Sequence, residues 1–173
     1  MLNIPKTIDF WFRFWYYIYR KERGETKMKK TIWFDMDGTI ADLYGVEGWL
    51  PMLINSDPTP YKLAAPLVHL ATLARKLNKL QREGWQLGVI SWLSKNSTAD
   101  YDEKVKTAKL AWLAKHLPSV SWDEIKIVAY GTSKITECGG GILFDDEDKN
   151  RNEWGKDAYH PDMIMEILSS LAA

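Results

Sequence analysis

The sequence predicts an α/β domain with three layers: a mostly parallel sheet with helices on both faces. Two observations carry this. Short apolar runs alternate with segments of helical periodicity from residue 31 onward. Polar clusters stand at the carboxyl ends of those apolar runs, where open parallel sheets place their ligands. The chain's 173 residues suit one sizeable core.

The elements follow in order. Thr31–Asp35 is the first strand, stopped by the turn residue Gly38. Residues 43–66 are expected to be irregular, with Pro51, Pro58, Pro60 and Pro66 as breakers, and to form a short cap inserted after strand one. Leu67, Leu70, Leu73, Leu77 and Leu80 mark an amphipathic helix over 67–83, closed by Gly84. Trp85–Ile90 is a second strand. Asp100 or Asp102 caps a helix carrying Val105, Ala108, Trp112 and Leu113, which runs to Pro118. Ile125–Tyr130 and Gly141–Phe144 are the third and fourth strands. Pro161 opens a closing helix with Ile164, Ile167, Leu168 and Leu171 on its apolar face. Right-handed crossovers between such strands give a Rossmann-like sheet.

Composition bounds the chemistry. An apolar share of 46% and a charged share of 27% are those of a globular domain. The single Cys138 excludes an intrachain disulfide and a cysteine zinc cluster, and suits a reducing compartment, so the cytoplasm is the expected location. The zero net charge hides an asymmetry: residues 1–30 hold eight Lys/Arg and three Asp/Glu, and the remainder is acidic. Strong nucleic-acid binding is therefore not expected.

Residues 1–30 stand apart as an aromatic and basic extension preceding the catalytic unit at 31–173. Phe10, Trp11, Phe12, Phe14, Trp15, Tyr16, Tyr17 and Tyr19 crowd together, followed by a basic run. The apolar stretch is too short for the roughly 20 residues of a membrane span, and no signal-peptide cleavage pattern follows. Three readings compete: a dispensable extension arising from start-codon choice, with Met28 just before the first strand; a helix capping the domain; or contact with a membrane surface.

The chemistry begins at Asp35-Met36-Asp37-Gly38-Thr39. Two carboxylates held close at a strand tip repel each other unless a cation or a shared proton relieves them. A calcium loop is excluded: counted from Asp35, the twelfth position is Val46, where a bidentate glutamate is needed. Three further polar clusters follow: Ser91 after Val89-Ile90, Lys134 after Gly131-Thr132-Ser133, and Asp145-Asp146 after Ile142-Leu143-Phe144.

These four clusters, in this order, resemble the four motifs of the haloacid dehalogenase-like (HAD) hydrolases. The resemblance implies a magnesium-dependent phosphomonoesterase. It implies Asp35 as the nucleophile that becomes an aspartyl phosphate. It implies Asp37 as the acid that protonates the leaving oxygen, then the base that activates water. Members that dehalogenate lack an acid at that second position, so Asp37 favours phosphate chemistry. Ser91 and Lys134 resemble the phosphate-binding serine and lysine. Magnesium is expected on Asp35, the backbone carbonyl of Asp37, and Asp145 or Asp146, a choice the sequence leaves open. Glu147 and Asp148 are expected either to face solvent or to stand behind the metal ligands, and Asn150 and Trp154 to support the site.

Within that family the first and fourth motifs look most like the cytosolic 5′(3′)-deoxyribonucleotidases. The expected substrate is therefore a small phosphate ester, a nucleoside monophosphate first among them, with Tyr44, Trp49 and Tyr61 available either to stack on a base or to pack the cap. Two alternatives remain: a phosphatase for a polynucleotide end or other macromolecular phosphate, and a non-catalytic adaptor of the same fold.

Overall fold

The computed structural model describes residues 30–95 and 97–172. The expectations for the aromatic basic segment fall outside the described residues. Among the described residues, no helix is long and apolar enough to cross a membrane.

Strand β1 (Thr31–Phe34) is buried along its whole length and lies at the middle of a five-stranded sheet. It pairs with β4 (Gln86–Trp92) on one side and with β6 (Ile142–Phe144) on the other. Beyond these lie β5 (Glu124–Val128) and β7 (Ala158–Tyr159), giving the order β5-β4-β1-β6-β7. Every pairing in this sheet is parallel. The chain builds outward from β1 through β4 to β5, then returns across β1 to add β6 and β7. Strand order thus reverses at β1, and the crevice beyond its carboxyl end is where such sheets bind ligands.

Alternation along the strands separates two apolar layers. Ile32, Phe34, Leu87, Val89, Ile142 and Phe144 share one cluster with the buried leucines of α3 (Leu70–Arg82) and with Ile164 and Leu168 of α7 (Ile164–Leu171). Trp33, Ile90 and Leu143 point the other way, to Cys138 of α5 (Lys134–Cys138) and Trp154 of α6 (Asp148–Trp154). Gly88 lies opposite Trp33 in the register, and a Cβ there would overlap the indole ring. The fully buried Trp33 therefore demands glycine on the neighbouring strand.

Several boundaries differ from the sequence expectation, each for a local reason. The second strand runs on to Trp92, so Ser91 lies inside it rather than beyond its tip. The third strand ends at Val128, leaving Tyr130 exposed. The helix expected from residue 67 begins at Leu70, because the His69 side chain accepts from the Thr72 amide as an N-cap. Leu67 instead donates its amide to Ile40 and is exposed. The last helix is preceded by a 3-10 turn over Pro161–Met163. The two-residue strand β7 was too short to read from periodicity.

The largest correction concerns residues 43–66, which are not irregular. They form two short helices, α1 (Trp49–Ile54) and α2 (Thr59–Leu63), between the antiparallel strands β2 (Ala41–Asp42) and β3 (Ala65–Pro66). Pro51 and Pro60 fall within the first turns of their helices, where a missing amide costs no hydrogen bond. The prolines start these helices rather than break them. The long α4 (Ala99–His116) holds the insertion down. Its Tyr101 hydroxyl donates to the Asp57 carbonyl at 3.1 Å, and its Trp112 indole to the Ala64 carbonyl at 2.8 Å.

Overpacking at a filled site costs about 1–3 kcal/mol. Gly88→Ala is accordingly expected to lower unfolding free energy by about that amount. Urea denaturation checks it, and an unchanged midpoint would contradict the packing described for Trp33.

Candidate active site

Parallel pairing brings the predicted residues together. Asp35 follows β1 directly and donates its amide to the Phe144 carbonyl at 2.9 Å. Asp145 and Asp146 follow the adjacent β6. Neighbouring strands lie roughly 4.8 Å apart, so the acids after β1 and β6 are forced into proximity. One carboxylate oxygen from each of Asp35, Asp145 and Asp146 lies within 4.8 Å of the others.

The turn after β1 depends on Gly38. Its φ is +74°, and a Cβ there would overlap the Asp146 carboxylate. Thr39 ties the two acidic loops together: its hydroxyl accepts from the Asp146 amide at 3.1 Å and lies 3.4 Å from Asp146 Oδ1.

Lys134 opens α5, with Ser133 as its N-cap, and is almost wholly buried. Its Nζ donates to Asp145 Oδ2 at 2.6 Å and lies 3.1 Å from Asp35 Oδ1. The second contact is an ion pair without hydrogen-bond alignment, so Asp35 Oδ1 is buried with no donor. Burial works against the lysine's charge, but Asp35 and Asp145 outweigh it and raise the Lys134 pKa.

Asp145 and Asp146 differ in their surroundings. Asp145 is fully buried and heavily engaged: it accepts from Lys134, from the Glu147 amide at 2.9 Å, and from Asn150 Nδ2 at 3.1 and 3.2 Å. Arg151 adds a bond to its carbonyl at 2.6 Å. Asp146 instead lines the cavity. Loss of hydration first, then the charges of Asp35 and Asp145, push its pKa up to about 7. Asn150 and Trp154 are buried as supports, the indole of Trp154 donating to the Gly141 carbonyl at 2.9 Å. Glu147 and Asp148 are exposed.

Asp37 also lines the cavity. Burial is the largest influence on it and raises its pKa; a lysine opposes, and Asp35 adds to the rise. That lysine is Lys109 on α4, which belongs to none of the four sequence clusters. It is 0% exposed, and its Nζ donates to Asp37 Oδ2 at 2.6 Å, Ser91 Oγ at 2.8 Å and the Trp92 carbonyl at 2.7 Å. A signal existed. Tyr101, Val105, Ala108, Lys109, Trp112 and Leu113 are the buried positions of α4, so the lysine stands in the middle of a helical apolar stripe. Ser91 is itself fully buried, and neither it nor Lys134 lines the cavity. With Lys109 donating to its oxygen, the Ser91 hydroxyl proton is directed elsewhere.

The cavity has a volume of about 380 Å³ and an acidic floor of Asp35, Asp37 and Asp146. Aromatic pairs form part of its wall. Tyr44 and Trp49 meet edge-on at 5.1 Å, and Trp92 and Tyr130 lie 5.0 Å apart. Lys95 sits over the Tyr130 ring. Tyr61 lines the cavity too, but it is buried, with the Lys109 ammonium over its ring at 5.0 Å. The second aromatic pair was not anticipated, because Trp92 and Tyr130 are 38 residues apart and meet only through β4–β5 pairing.

The donor set suits magnesium. Three carboxylate oxygens converge, all hard ligands, and Asp35 has a buried oxygen without a hydrogen bond. Asp35 and Asp146 would hold the ion, with the third converging carboxylate, Asp145, also engaged by Lys134 and Asn150.

No protein-family model matches the chain. No curated protein matches it either. Among solved structures, a D,D-heptose 1,7-bisphosphate phosphatase from Burkholderia thailandensis aligns with a TM-score of 0.43 and 13% identity, over 83% of this chain and 74% of that one. A likeness so distant carries no argument about activity, which rests on the site's own residues.

The raised Asp146 pKa has a consequence for stability. In the metal-free folded protein Asp146 holds its proton up to about 7, and in the unfolded chain only to 3.8. The folded state binds more protons between those values, so its contribution to stability falls as pH rises through them. A bound dication removes that penalty above pH 7 but must displace a proton below it. Magnesium is expected to raise the melting temperature clearly at pH 8 and little at pH 5. Equal shifts at both pH values in paired thermal melts would contradict this.

Proposed function

We propose that this protein is a magnesium-dependent phosphomonoesterase of the HAD type, acting on a small phosphate ester, with a nucleoside monophosphate as the favoured substrate. One observation carries the reading. At the reversal point of the sheet, Asp35 lies with Asp145, Asp146 and the Lys134 ammonium, one of its buried oxygens accepting no hydrogen bond, while a second acid, Asp37, lines the cavity.

In this reading an Asp35 carboxylate oxygen bonds to phosphorus as the bond from phosphorus to the leaving oxygen breaks. Asp37, whose pKa burial raises, gives its proton to that oxygen. Water then attacks phosphorus of the aspartyl phosphate and passes a proton to Asp37, which releases inorganic phosphate and restores Asp35. Bound magnesium would supply charge neutralisation between phosphate and carboxylates. Lys134 keeps Asp35 and Asp145 in place by charge, while Ser91, fully buried and outside the cavity lining, serves as an acceptor for Lys109.

The aromatic wall supports a planar leaving group. Trp49 and Tyr130 both line the cavity, each already paired edge-on or tilted with a second ring, which limits their freedom to move. Base stacking on an aromatic side chain is worth about 1–3 kcal/mol. The acidic main body favours a small substrate over a polynucleotide.

Phosphate release from a panel of nucleoside monophosphates and sugar phosphates should require magnesium and vanish in Asp35→Asn. Activity surviving that substitution would remove Asp35 as nucleophile. Trp49→Ala and Tyr130→Ala should each raise KM for the nucleotide about tenfold with kcat little changed. Glycerol phosphate turnover serves as the control, and an equal effect there would rule out stacking.

A further inference from the structure

Lys109 is a costly residue in its position. It sits on the core-facing stripe of an eighteen-residue helix, wholly removed from water, where a leucine or methionine would pack. An ammonium has three protons to donate. Here all three have acceptors: Asp37 Oδ2 at 2.6 Å, Ser91 Oγ at 2.8 Å and the Trp92 carbonyl at 2.7 Å. The Tyr61 ring covers it at 5.0 Å. Nothing is left on Lys109 for a phosphate, so it is no second phosphate ligand. Two of its three bonds anchor it to the last two residues of β4, and the third reaches across to the loop after β1.

We infer that Lys109 is a positioning residue for Asp37: pinned on the end of β4, it holds Asp37 Oδ2 and so fixes the carboxyl group through which the proton passes to and from the leaving oxygen. This rests on the phosphatase reading above. The division of labour between the two buried lysines follows from their partners. Lys134 serves the acids after β1 and β6, Asp35 and Asp145. Lys109 serves the acid two residues further along, on the β4 side. Asp37 stands three residues beyond the end of β1, where an isolated bridge to Ala41 pairs its backbone, and Lys109 ties down its side chain. Deriving that tie from α4, which also holds Asp57 and Ala64 of the cap, sets the proton donor in one frame with the cavity wall.

The test separates positioning from mere support of the fold by varying the leaving group. Lys109→Met is compared with wild type on an alkyl phosphomonoester, whose leaving oxygen needs a proton, and on p-nitrophenyl phosphate, whose leaving group departs without one. The rate read is that of the first turnover, by rapid quench. The loss should be on the order of 10²-fold for the alkyl ester and under about fivefold for the aryl ester. Equal losses on both would overturn the inference. Because Lys109 is buried, the same substitution is also made in Asp37→Asn, where it strands no charge. There, with the positioned acid gone, it should cost no more than about threefold on p-nitrophenyl phosphate. A loss above about tenfold on that background would overturn the inference even if the single variant fails to fold. Wild-type protein that turns over neither ester with magnesium removes the phosphatase reading and this inference with it. Wild-type turnover left unchanged by Lys109→Met removes this inference alone.

Discussion

The structure turns on the crowding of acids at the carboxyl end of β1. Asp35, Asp37, Asp145 and Asp146 share one small region, and two buried lysines lie among them. Two unit charges of like sign about 4 Å apart cost roughly 4 kcal/mol at an effective dielectric of 20. Lys109 and Lys134 offset two of the four negative charges. The remainder makes the arrangement receptive to a dication or to protons; burial first, and the charges of Asp35 and Asp145 after it, push the Asp146 pKa up to about 7. Neither lysine strengthens the fold in a simple way, since a buried ion pair rarely outperforms well-packed apolar groups. Their presence is better explained by what they do to the acids.

The sheet makes this crowding possible. Parallel strands β1 and β6 end side by side, so residues that follow them cannot avoid one another. The burial of Ile32, Trp33 and Phe34 on both faces of β1 holds the strand end still, and Gly88 lets the largest of these side chains fit. Core packing and acid placement are thus a single constraint seen at two distances from the cavity.

Helix α4 joins the other two parts of the molecule. One stripe of its surface carries Tyr101 and Trp112, which hold the cap backbone, and Lys109, which holds Asp37. The cap itself buries little: the two short helices expose Leu50, Ile54 and Leu63. Its position depends on α4 and on the two-residue β2–β3 pairing at its base.

Much of this was legible in the one-dimensional pattern. Apolar runs ending in acids located β1 and β6, and leucine spacing located α3, because each depends on residues within a few positions of one another. What lay beyond reach were relations set by packing. Pro51 and Pro60 look like breakers until the helix start is known. Trp92 and Tyr130 become a pair only when β4 meets β5. Lys109 stands out in an apolar helical stripe, but its partner Asp37, 2.6 Å away, appears only once α4 packs against β4. The sequence by itself determined which acids stand at the strand ends, since strand length and turn chemistry are local. Only the tertiary structure decided which cation answers which acid, and which of Asp145 and Asp146 faces the cavity, because charges are matched by distance in space and not by separation along the chain.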